Sequence, residues 1–394
     1  MRVLQVVRSL NIGGLERVVL DLIAGLRERG TVCHLACLSE PGTWGRDSGA
    51  EDCWIGNAAD GVRWRTLLGL AAYVRRARID VIHSHNPQPH LYAVGAGLLT
   101  GVPVVHTKHG RNAVTRPRSV WLNRQLSRCS ARVAAVSSDA ADVVLHTECV
   151  PRGKVTVVRN GIALSQHGDE SRQRESLRRE FGVPLDAFVI GSVGRYASEK
   201  CYSKMVEAFA AFLGALEDQV VSLSLVLVGD GPDRPAIEAS VAAHGLEGRV
   251  TLTGMTDRVA DWLSVMDVFA LSSMTEGTSI TLLEAAALGL PLVVTDVGGN
   301  REVLDQGNAG LIVPYDDAPA MAGAFLGLYR GAELRYTLGL AAGQYVKGKY
   351  GIETMLEQYE AIYREALGAG PWHCLVHSRA ARRCVPNVED QKES

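Results

Sequence analysis

The sequence has few of the features that mark secreted, membrane-spanning or metal-binding proteins. Aromatic residues make up only 6% of its 394 positions, and its eight cysteines are scattered, with no C-x-x-C pair. No apolar run reaches the roughly 18 residues of a spanning helix, and the N-terminal apolar run is broken by Gln5 and Arg8. These absences favour free thiols in a reducing compartment over disulfide-linked secretion. We therefore expect a cytoplasmic protein.

The charge balance also excludes a general polyanion binder. The 41 lysines and arginines nearly match the 43 aspartates and glutamates, which gives a net charge of −2. No nucleic-acid partner is expected, and any basic surface must be local. The length and the apolar fraction of 47% suit two domains, each with its own core.

Short β-branched runs alternate with stretches of helical period along most of the chain. The first predicted strands are Val3–Val7, Val32–Leu38, Val81–Ser84, Val102–His106, Val133–Val136 and Val155–Val158, with helices such as Leu15–Arg29, Trp64–Arg78 and Arg118–Cys129 between them. After a polar pause, the second series is Phe188–Val193, Leu223–Val228, Val250–Leu252, Val268–Leu271 and Leu292–Val294. This alternation predicts an α/β protein of two doubly wound units joined near residues 160–170, with the ligand in a cleft at the carboxyl ends of the strands.

Two glycine-containing loops are candidate phosphate sites. Asn11–Glu16 follows the first strand and opens the first helix, where Gly13 and Gly14 would let a phosphate approach the helix N-terminus. It is not G-x-G-x-x-G, and a tight βα turn explains it equally well. The second loop, Gly194–Lys200, offers Arg195 and Lys200 as two cations that could neutralise a diphosphate, although a solvated loop with an ordinary ion pair is the simpler interpretation.

The most informative segment is Thr275–Ala285, which follows the strand Val268–Leu271. Glu276 lies on a loop, and a helix is predicted to begin near Ser279, so that the backbone of Gly277, Thr278 and Ser279 would form a positive helix end. Glu284 would project from that helix. Two carboxylates beside an anion-binding turn suit the hydroxyl groups and phosphates of a sugar nucleotide.

Together these motifs resemble those of glycosyltransferase family four, the group 1 glycosyltransferases, which are retaining enzymes of the GT-B type. The E-x7-E motif matches as Glu276 and Glu284, and G-R-x4-K matches as Gly194, Arg195 and Lys200. The N-terminal G-G-x-E motif matches as Gly13, Gly14 and Glu16, and His109 stands where the family has an active-site histidine. The resemblance covers residues 1–367 in the family's order.

The resemblance implies a role for each motif residue. Arg195 and Lys200 would hold the donor diphosphate, Glu284 the ribose, and Gly14 would approach the phosphate from the other domain. Glu276 and the backbone of Gly277, Thr278 and Ser279 would hold the transferred sugar, and His109 would reach its C6 hydroxyl. The catalytic set is thus His109, Glu276, Arg195 and Lys200.

The resemblance also implies the domain organisation. Residues 1–165 would form the acceptor-side Rossmann-like domain, with a C-terminal helix at 351–367 packing back on it. Residues 166–345 would form the nucleotide-sugar domain, and 369–394 a disordered tail. The reaction moves a sugar from a nucleotide-diphosphate sugar to a glycan or lipid-linked acceptor, in bacterial cell-surface polysaccharide or glycoconjugate synthesis, with no cofactor and no metal.

Two clusters admit other interpretations. The five histidines His83, His85, His90, His106 and His109 suggest a metal, but they lack a ligand motif, and core or cleft histidines explain them better. The segment from Lys108 to Arg132 carries seven cations, no acidic residue and interleaved apolar side chains. It is either an amphipathic helix on an anionic membrane at the inner face or a solvated or phosphate-binding surface.

Other functions stay open at this level. A nucleotide-sugar 2-epimerase has the same fold, but E-x7-E with G-R-x4-K favours a transferase. A nicotinamide dehydrogenase would need a G-x-G-x-x-G motif, which is not evident. A sugar-nucleotide sensor without catalysis is a further alternative.

Overall fold

The computed structural model describes residues 1–45, 48–56, 63–110, 117–163, 170–216 and 222–369. The chain divides into two compact units: unit 1 comprises Met1–Arg159 and the chain from Met355, and unit 2 comprises Asn160–Thr354. Each unit contains one sheet whose paired strands are all parallel. The predicted α/β class with two doubly wound units is confirmed.

The sheet of unit 1 has the strand order β3-β2-β1-β4-β5-β6-β7. Its strands are β1 (Arg2–Val7), β2 (Val32–Cys37), β3 (Cys53–Ile55), β4 (Val81–His85), β5 (Val104–Lys108), β6 (Arg132–Ala135) and β7 (Val155–Val157). The connecting helices are α1 (Gly14–Glu28), α2 (Trp64–Arg76), α3 (Pro87–Thr100), α4 (Pro117–Cys129) and α5 (Ser138–Asp142). The order reverses between β1 and β4, and in such sheets ligands bind outside the carboxyl ends of the strands at the reversal.

Unit 2 repeats this plan with the order β10-β9-β8-β11-β12-β13. Its strands are β8 (Phe188–Val193), β9 (Leu223–Val228), β10 (Val250–Leu252), β11 (Val268–Leu271), β12 (Leu292–Thr295) and β13 (Leu311–Val313). Its helices are α6 (Glu170–Glu180), α7 (Tyr202–Gly214), α8 (Arg234–Ala243), α9 (Val259–Ser264), α10 (Ile280–Ala287), α11 (Asn300–Val303), α12 (Ala318–Arg330) and α13 (Ala332–Lys349). The next helix, α14 (Ile352–Ala369), belongs to unit 1 from Met355 onward. The reversal lies between β8 and β11, so the segments that follow these two strands meet at one edge.

Each sheet is buried because helices cover it. In unit 2 the helices α7 and α12 place Phe209, Phe212 and Phe325 over the strands, and all three are fully buried. In unit 1 the helices α2 and α3 cover one face, where Leu70 and Tyr92 join the core. Continuous burial on both faces explains why the strands are apolar runs rather than alternating ones.

Helix α6 occupies part of the polar stretch where the sequence showed only a pause. Its Arg178 is buried, although seven of the helix's eleven residues are charged. The guanidinium donates hydrogen bonds to the carbonyl oxygens of Val265 and Ala187 and to the Asp267 carboxylate. Asp267 also accepts a hydrogen bond from the backbone N–H of Val189 near the start of β8, so this ion pair fixes the amino end of a central strand.

The C-terminal helix runs further than the sequence suggested. Gly368 lies inside α14, which ends at Ala369, and the remainder of the predicted tail lies outside the described residues. None of the helices in the described ranges is both long and apolar enough to cross a membrane.

Candidate active site

The loop after β8 is held rigidly by its contacts with the end of β9 and the loop that follows it. Tyr196 is fully buried and donates its phenolic hydrogen to the carbonyl oxygen of Leu227 at 2.7 Å. Gly229 and Gly231, both at positive φ, approach so closely that a Cβ on either would lie 2.0–2.2 Å from a carbonyl oxygen of Gly194 or Tyr196. The exposed Arg195 therefore projects from a fixed backbone, and its side chain makes no ion pair within the described ranges.

The structure brings Lys200 and Glu276 together. The Nζ atom of Lys200 lies 2.6 Å from Oε1 of Glu276, and the two side chains retain only 19% and 9% of their exposure. The hydroxyl of Ser273 donates to the same carboxylate oxygen at 2.6 Å. Because β8 and β11 are neighbours, the ends of these strands deliver the cation and the carboxylate to one place.

Hydrogen bonds between the loop after β8 and the loop after β11 hold the backbone around this pair. The N–H of Met274 donates to the carbonyl of Glu199, and the hydroxyl of Ser272 donates to the carbonyl of Lys200. On the other side, a Cβ on Gly298 would lie 2.0 Å from the carbonyl oxygen of Glu276. The Lys200–Glu276 pair is therefore preorganised.

Helix α10 begins where the sequence predicted. Ser279 is its N-cap residue, and its hydroxyl accepts a hydrogen bond from the N–H of Leu282 at 3.3 Å. Two hydrogen bonds hold the preceding turn. The side-chain amide of Asn160 donates to the carbonyl of Thr278, and the backbone N–H of Gly299 donates to the carbonyl of Gly277. A positive helix end thus adjoins Glu276. Glu284 is half-buried in the second turn of the helix.

In unit 1, Gly13 and Gly14 lie at the start of α1 as predicted. Gly13 is in extended conformation with φ −177°, and Gly14 is the exposed first residue of the helix. A Cβ on Gly13 would lie 2.4 Å from Oε2 of Glu16, whose carboxylate therefore folds back over the first turn. Negative charge in the first turn is favourable at this helix end.

His109 follows β5 and is half-buried. Its Nε2 lies 2.9 Å from Nδ1 of His85, and Nε2 of His85 lies 2.9 Å from Oε1 of Gln5. Burial lowers the pKa of His109 to about 3, so the ring is neutral at physiological pH. A neutral imidazole can accept or donate a hydrogen bond to a sugar hydroxyl without adding charge.

The other clustered histidines are core residues. His90 stacks on His106 with ring centroids 3.7 Å apart and lies 2.8 Å from the Ser130 hydroxyl. Burial lowers the pKa of His90 to about 3 and that of His106 well below its usual range. Across the described ranges no group of three His, Cys, Asp or Glu side chains has the arrangement of a metal site. The histidines and cysteines of the tail, which are also of metal-ligand types, lie outside the described residues: His373, Cys374, His377 and Cys384.

Only part of the basic segment from Lys108 to Arg132 lies in helix α4. Arg111 and Arg116 lie outside the described residues, whereas Arg118 is exposed near the start of the helix. Trp121 retains 62% of its exposure and Leu122 beside it is also exposed, while Leu126 is buried. The outer face thus combines positive charge with apolar surface.

Several residues of the site escaped the sequence analysis. No sequence motif marks Ser273, although it donates a hydrogen bond to Glu276, and in the sequence Gln5 is only a break in an apolar run. Asn300, which no motif marks, is buried and holds the carbonyl of Thr295, while Asn160, in the family-typical segment Asn160-Gly161-Ile162, holds the carbonyl of Thr278. A polar residue within a buried strand, as Gln5 is, was the available signal.

Comparisons with known proteins agree with this geometry. A family model described as "Glycosyl transferases group 1" matches residues 187–331, and one described as "Glycosyltransferase Family 4" matches residues 12–166. The chain is 31% identical over 321 residues to an alpha-D-kanosaminyltransferase of Streptomyces kanamyceticus, which covers 76% of this chain and 82% of that protein. It is 29% identical over 308 residues to N-acetyl-alpha-D-glucosaminyl L-malate synthase of Bacillus anthracis, with coverages of 76% and 78%. The structure of HepE from Anabaena with UDP-glucose matches with a TM-score of 0.81 and 17% identity, over 94% of this chain and 100% of that chain.

Proposed function

The chain belongs to the group 1 glycosyltransferases of family four, and we propose that it transfers a hexose from a nucleotide-diphosphate sugar to a glycan or lipid-linked acceptor with retention of anomeric configuration. Its GT-B fold of two Rossmann-like units is shared with HepE. The observation that carries the proposal is the preorganised Lys200–Glu276 pair beside the positive end of α10. Both matching family models describe glycosyltransferases, so the comparisons do not favour the 2-epimerase alternative.

We assign donor binding to unit 2. Arg195 and Lys200 neutralise the diphosphate as it departs, which lowers the barrier because their charge is already in place. Glu276 and the turn of Gly277, Thr278 and Ser279 hold the sugar, and Glu284 accepts hydrogen bonds from the ribose hydroxyls. The reaction needs no metal in this scheme, because two cations and a helix end supply the positive charge.

We assign the acceptor side to unit 1. There the exposed N-terminus of α1 at Gly14 binds the donor phosphate, and the neutral imidazole of His109 forms a hydrogen bond with the sugar. The outer face of α4, with Arg118, Trp121 and Leu122, suits an anionic membrane surface on which a lipid-linked acceptor is presented. The enzyme would then work in the cytoplasm at the inner face of the membrane, in cell-surface polysaccharide or glycoconjugate synthesis.

A two-stage assay tests the proposal. Thermal shift with a panel of nucleotide sugars should first identify a stabilising donor, because a ligand stabilises the state that it binds; UDP-sugars come first, since HepE holds UDP-glucose. Transfer to a lipid-linked acceptor with that donor should then give a product of unchanged anomeric configuration by NMR, with and without excess EDTA. Inversion, loss of activity in EDTA restored by Mg²⁺ or Mn²⁺, or epimerised donor without transfer would each overturn the corresponding part of the scheme.

A further inference from the structure

One face of the unit 1 sheet carries polar side chains in a position where apolar ones are expected. Gln5 in β1 is the register partner of His83 in β4, and His85 is the partner of Thr107 in β5. Since side chains alternate along a strand, these four residues share one face. His109 follows two residues after Thr107.

Helix α14 covers this face with two tyrosines one turn apart. The hydroxyl of Tyr363 lies 2.8 Å from Nδ1 of His83 and 3.3 Å from Nε2 of Gln5. The hydroxyl of Tyr359 lies 3.0 Å from that of Thr107, which lies 2.7 Å from Nε2 of His83. With the two contacts of His85 given above, one hydrogen-bonded chain runs from Tyr359 to His109.

The amide of Gln5 sets the direction of the chain, because its nitrogen faces Tyr363 and the donor at every other link follows from that orientation. The amide nitrogen of Gln5 donates to Tyr363, so its oxygen accepts from Nε2–H of His85. A neutral imidazole has one donor and one acceptor, so Nδ1 of His85 accepts from Nε2–H of His109. This leaves Nδ1 of His109 with a lone pair and with no hydrogen-bond partner among the described residues.

The other arm of the chain has the same polarity. The hydroxyl of Tyr363, which accepts from Gln5, gives its hydrogen to Nδ1 of His83, and Nε2–H of His83 donates to Thr107. Reversing one link would oppose two donors unless every link reversed, and an opposed pair in a buried position is costly. Burial also lowers the pKa of His83 to about 3 and that of His85 well below its usual range, so neither ring acquires a second proton near neutral pH.

We propose that Gln5, His85 and Tyr363 are positioning residues that hold His109 as the Nε2–H tautomer, so that its Nδ1 accepts a hydrogen bond from a hydroxyl of the transferred sugar. This inference rests on the proposed function, in which His109 faces the donor sugar. It predicts selection for sugars that present a hydrogen-bond donor at that point. The selectivity is set on β1, β4 and α14, by residues that do not themselves touch the substrate.

Nitrogen NMR tests the tautomer directly in the full-length protein. Two-bond ¹H–¹⁵N correlation of ¹⁵N-histidine-labelled enzyme distinguishes the two neutral tautomers and the charged ring, and His109→Gln identifies the relevant signals. We expect His109 with hydrogen on Nε2, both alone and with nucleotide sugar. Hydrogen on Nδ1 of His109, or a charged ring at pH 7, would overturn the proposal. This measurement needs no turnover, so it stands even if the assigned reaction is wrong.

Matched variants separate positioning from mere packing. Gln5→Leu removes the acceptor of His85, lets both tautomers of His109 populate, and should lower kcat/KM about tenfold, the effect of one lost hydrogen bond. Gln5→Glu still accepts from His85 and should keep the tautomer and restore most of the activity. Ser84→Ala is the control, because Ser84 lies on β4 between His83 and His85 and is as buried as Gln5, but it bonds His106 on the opposite face of the sheet. Its kinetics should match the wild type.

The donor sugar supplies the last comparison. With a donor that lacks the C6 hydroxyl, the loss caused by Gln5→Leu should disappear, because no hydroxyl remains for Nδ1 to accept from. Equal losses with both donors, or equal losses in Gln5→Leu and Gln5→Glu with the tautomer of His109 unchanged, would show that Gln5 acts only through packing.

Discussion

Replacing Lys200 by alanine tests the central pair of the site. The substitution removes a cation that lies 2.6 Å from the Glu276 carboxylate and leaves Ser273 as the hydrogen-bond donor to that oxygen. Removing one partner of a buried pair costs about 3–5 kcal/mol, whereas exposed pairs contribute about 0–1 kcal/mol. With 19% exposure at Lys200 and 9% at Glu276, the pair lies between these limits. We expect a loss of about 2 kcal/mol, which lowers Tm by roughly 4–8 °C for a unit of this size.

The effect on turnover should exceed the effect on folding. If Lys200 neutralises charge that grows on the leaving diphosphate, kcat at saturating donor should fall about 10²-fold or more. Lys204 offers a matched control, because it pairs with Glu207 and Asp316 but retains 47% exposure. Lys204→Ala should change stability by no more than about 0.5 kcal/mol and leave kcat unchanged.

The assay combines differential scanning fluorimetry with steady-state kinetics on the same preparations. Adding Glu276→Gln to Lys200→Ala should recover part of the lost stability, because the amide no longer leaves a buried charge unpaired, while kcat stays low. A Lys200→Ala variant that resembles Lys204→Ala in both Tm and kcat would refute both roles of Lys200. If Tm falls but kcat at saturating donor does not, Lys200 stabilises the loop and has no part in the chemistry.

Three further predictions address other parts of the molecule. Glu276→Gln should mainly lower kcat and Glu284→Gln should mainly raise the donor KM; titration calorimetry should show nucleoside diphosphate binding normally to the first and poorly to the second, and the reverse would exchange their roles. Burial holds the pKa of His90 at about 3, below its ordinary value, so its contribution to stability is complete above pH 6.5 and is lost as pH falls toward 3, at about 1.4 kcal/mol per pH unit. Urea midpoints should therefore drop less between pH 7 and pH 5 in His90→Gln than in the wild type. The wild type should sediment with phosphatidylglycerol vesicles at low salt and Trp121→Ser should do so less; no binding by the wild type would indicate a soluble acceptor.

Much of the fold could be predicted because its signals are local. Strands β8 and β11 are continuous apolar runs, and parallel strands deliver the loops that follow them to one edge of the sheet. That rule brings the loops of Lys200 and Glu276 to one edge, whereas a shared ligand is what the family resemblance implies and stays a prediction. Their direct ion pair could not be predicted, because it depends on side-chain conformations and on Ser273, which no motif marks.

The features that could not be predicted depend on distant partners. Helix α6 has no apolar face in the sequence, because most of its residues are charged. It packs on the rest of unit 2 through the buried Arg178, whose partner Asp267 is 89 positions away. The partner of Gln5 is Tyr363, 358 positions away, and nothing in the neighbourhood of either residue indicates the other.

The discontinuous course of unit 1 has a consequence for the order of folding. Unit 2 is one continuous stretch, so all of its strands and their covering helices are available before the ribosome reaches α14. Unit 1 must wait, since the tyrosines that cap its polar sheet face arrive only with the last described helix. Pairing over so long a chain separation also makes assembly slow. Until α14 covers that face, its histidines are hydrated and open to protonation, so we expect the surroundings of His85 and His109 to be completed after unit 2 has been synthesised.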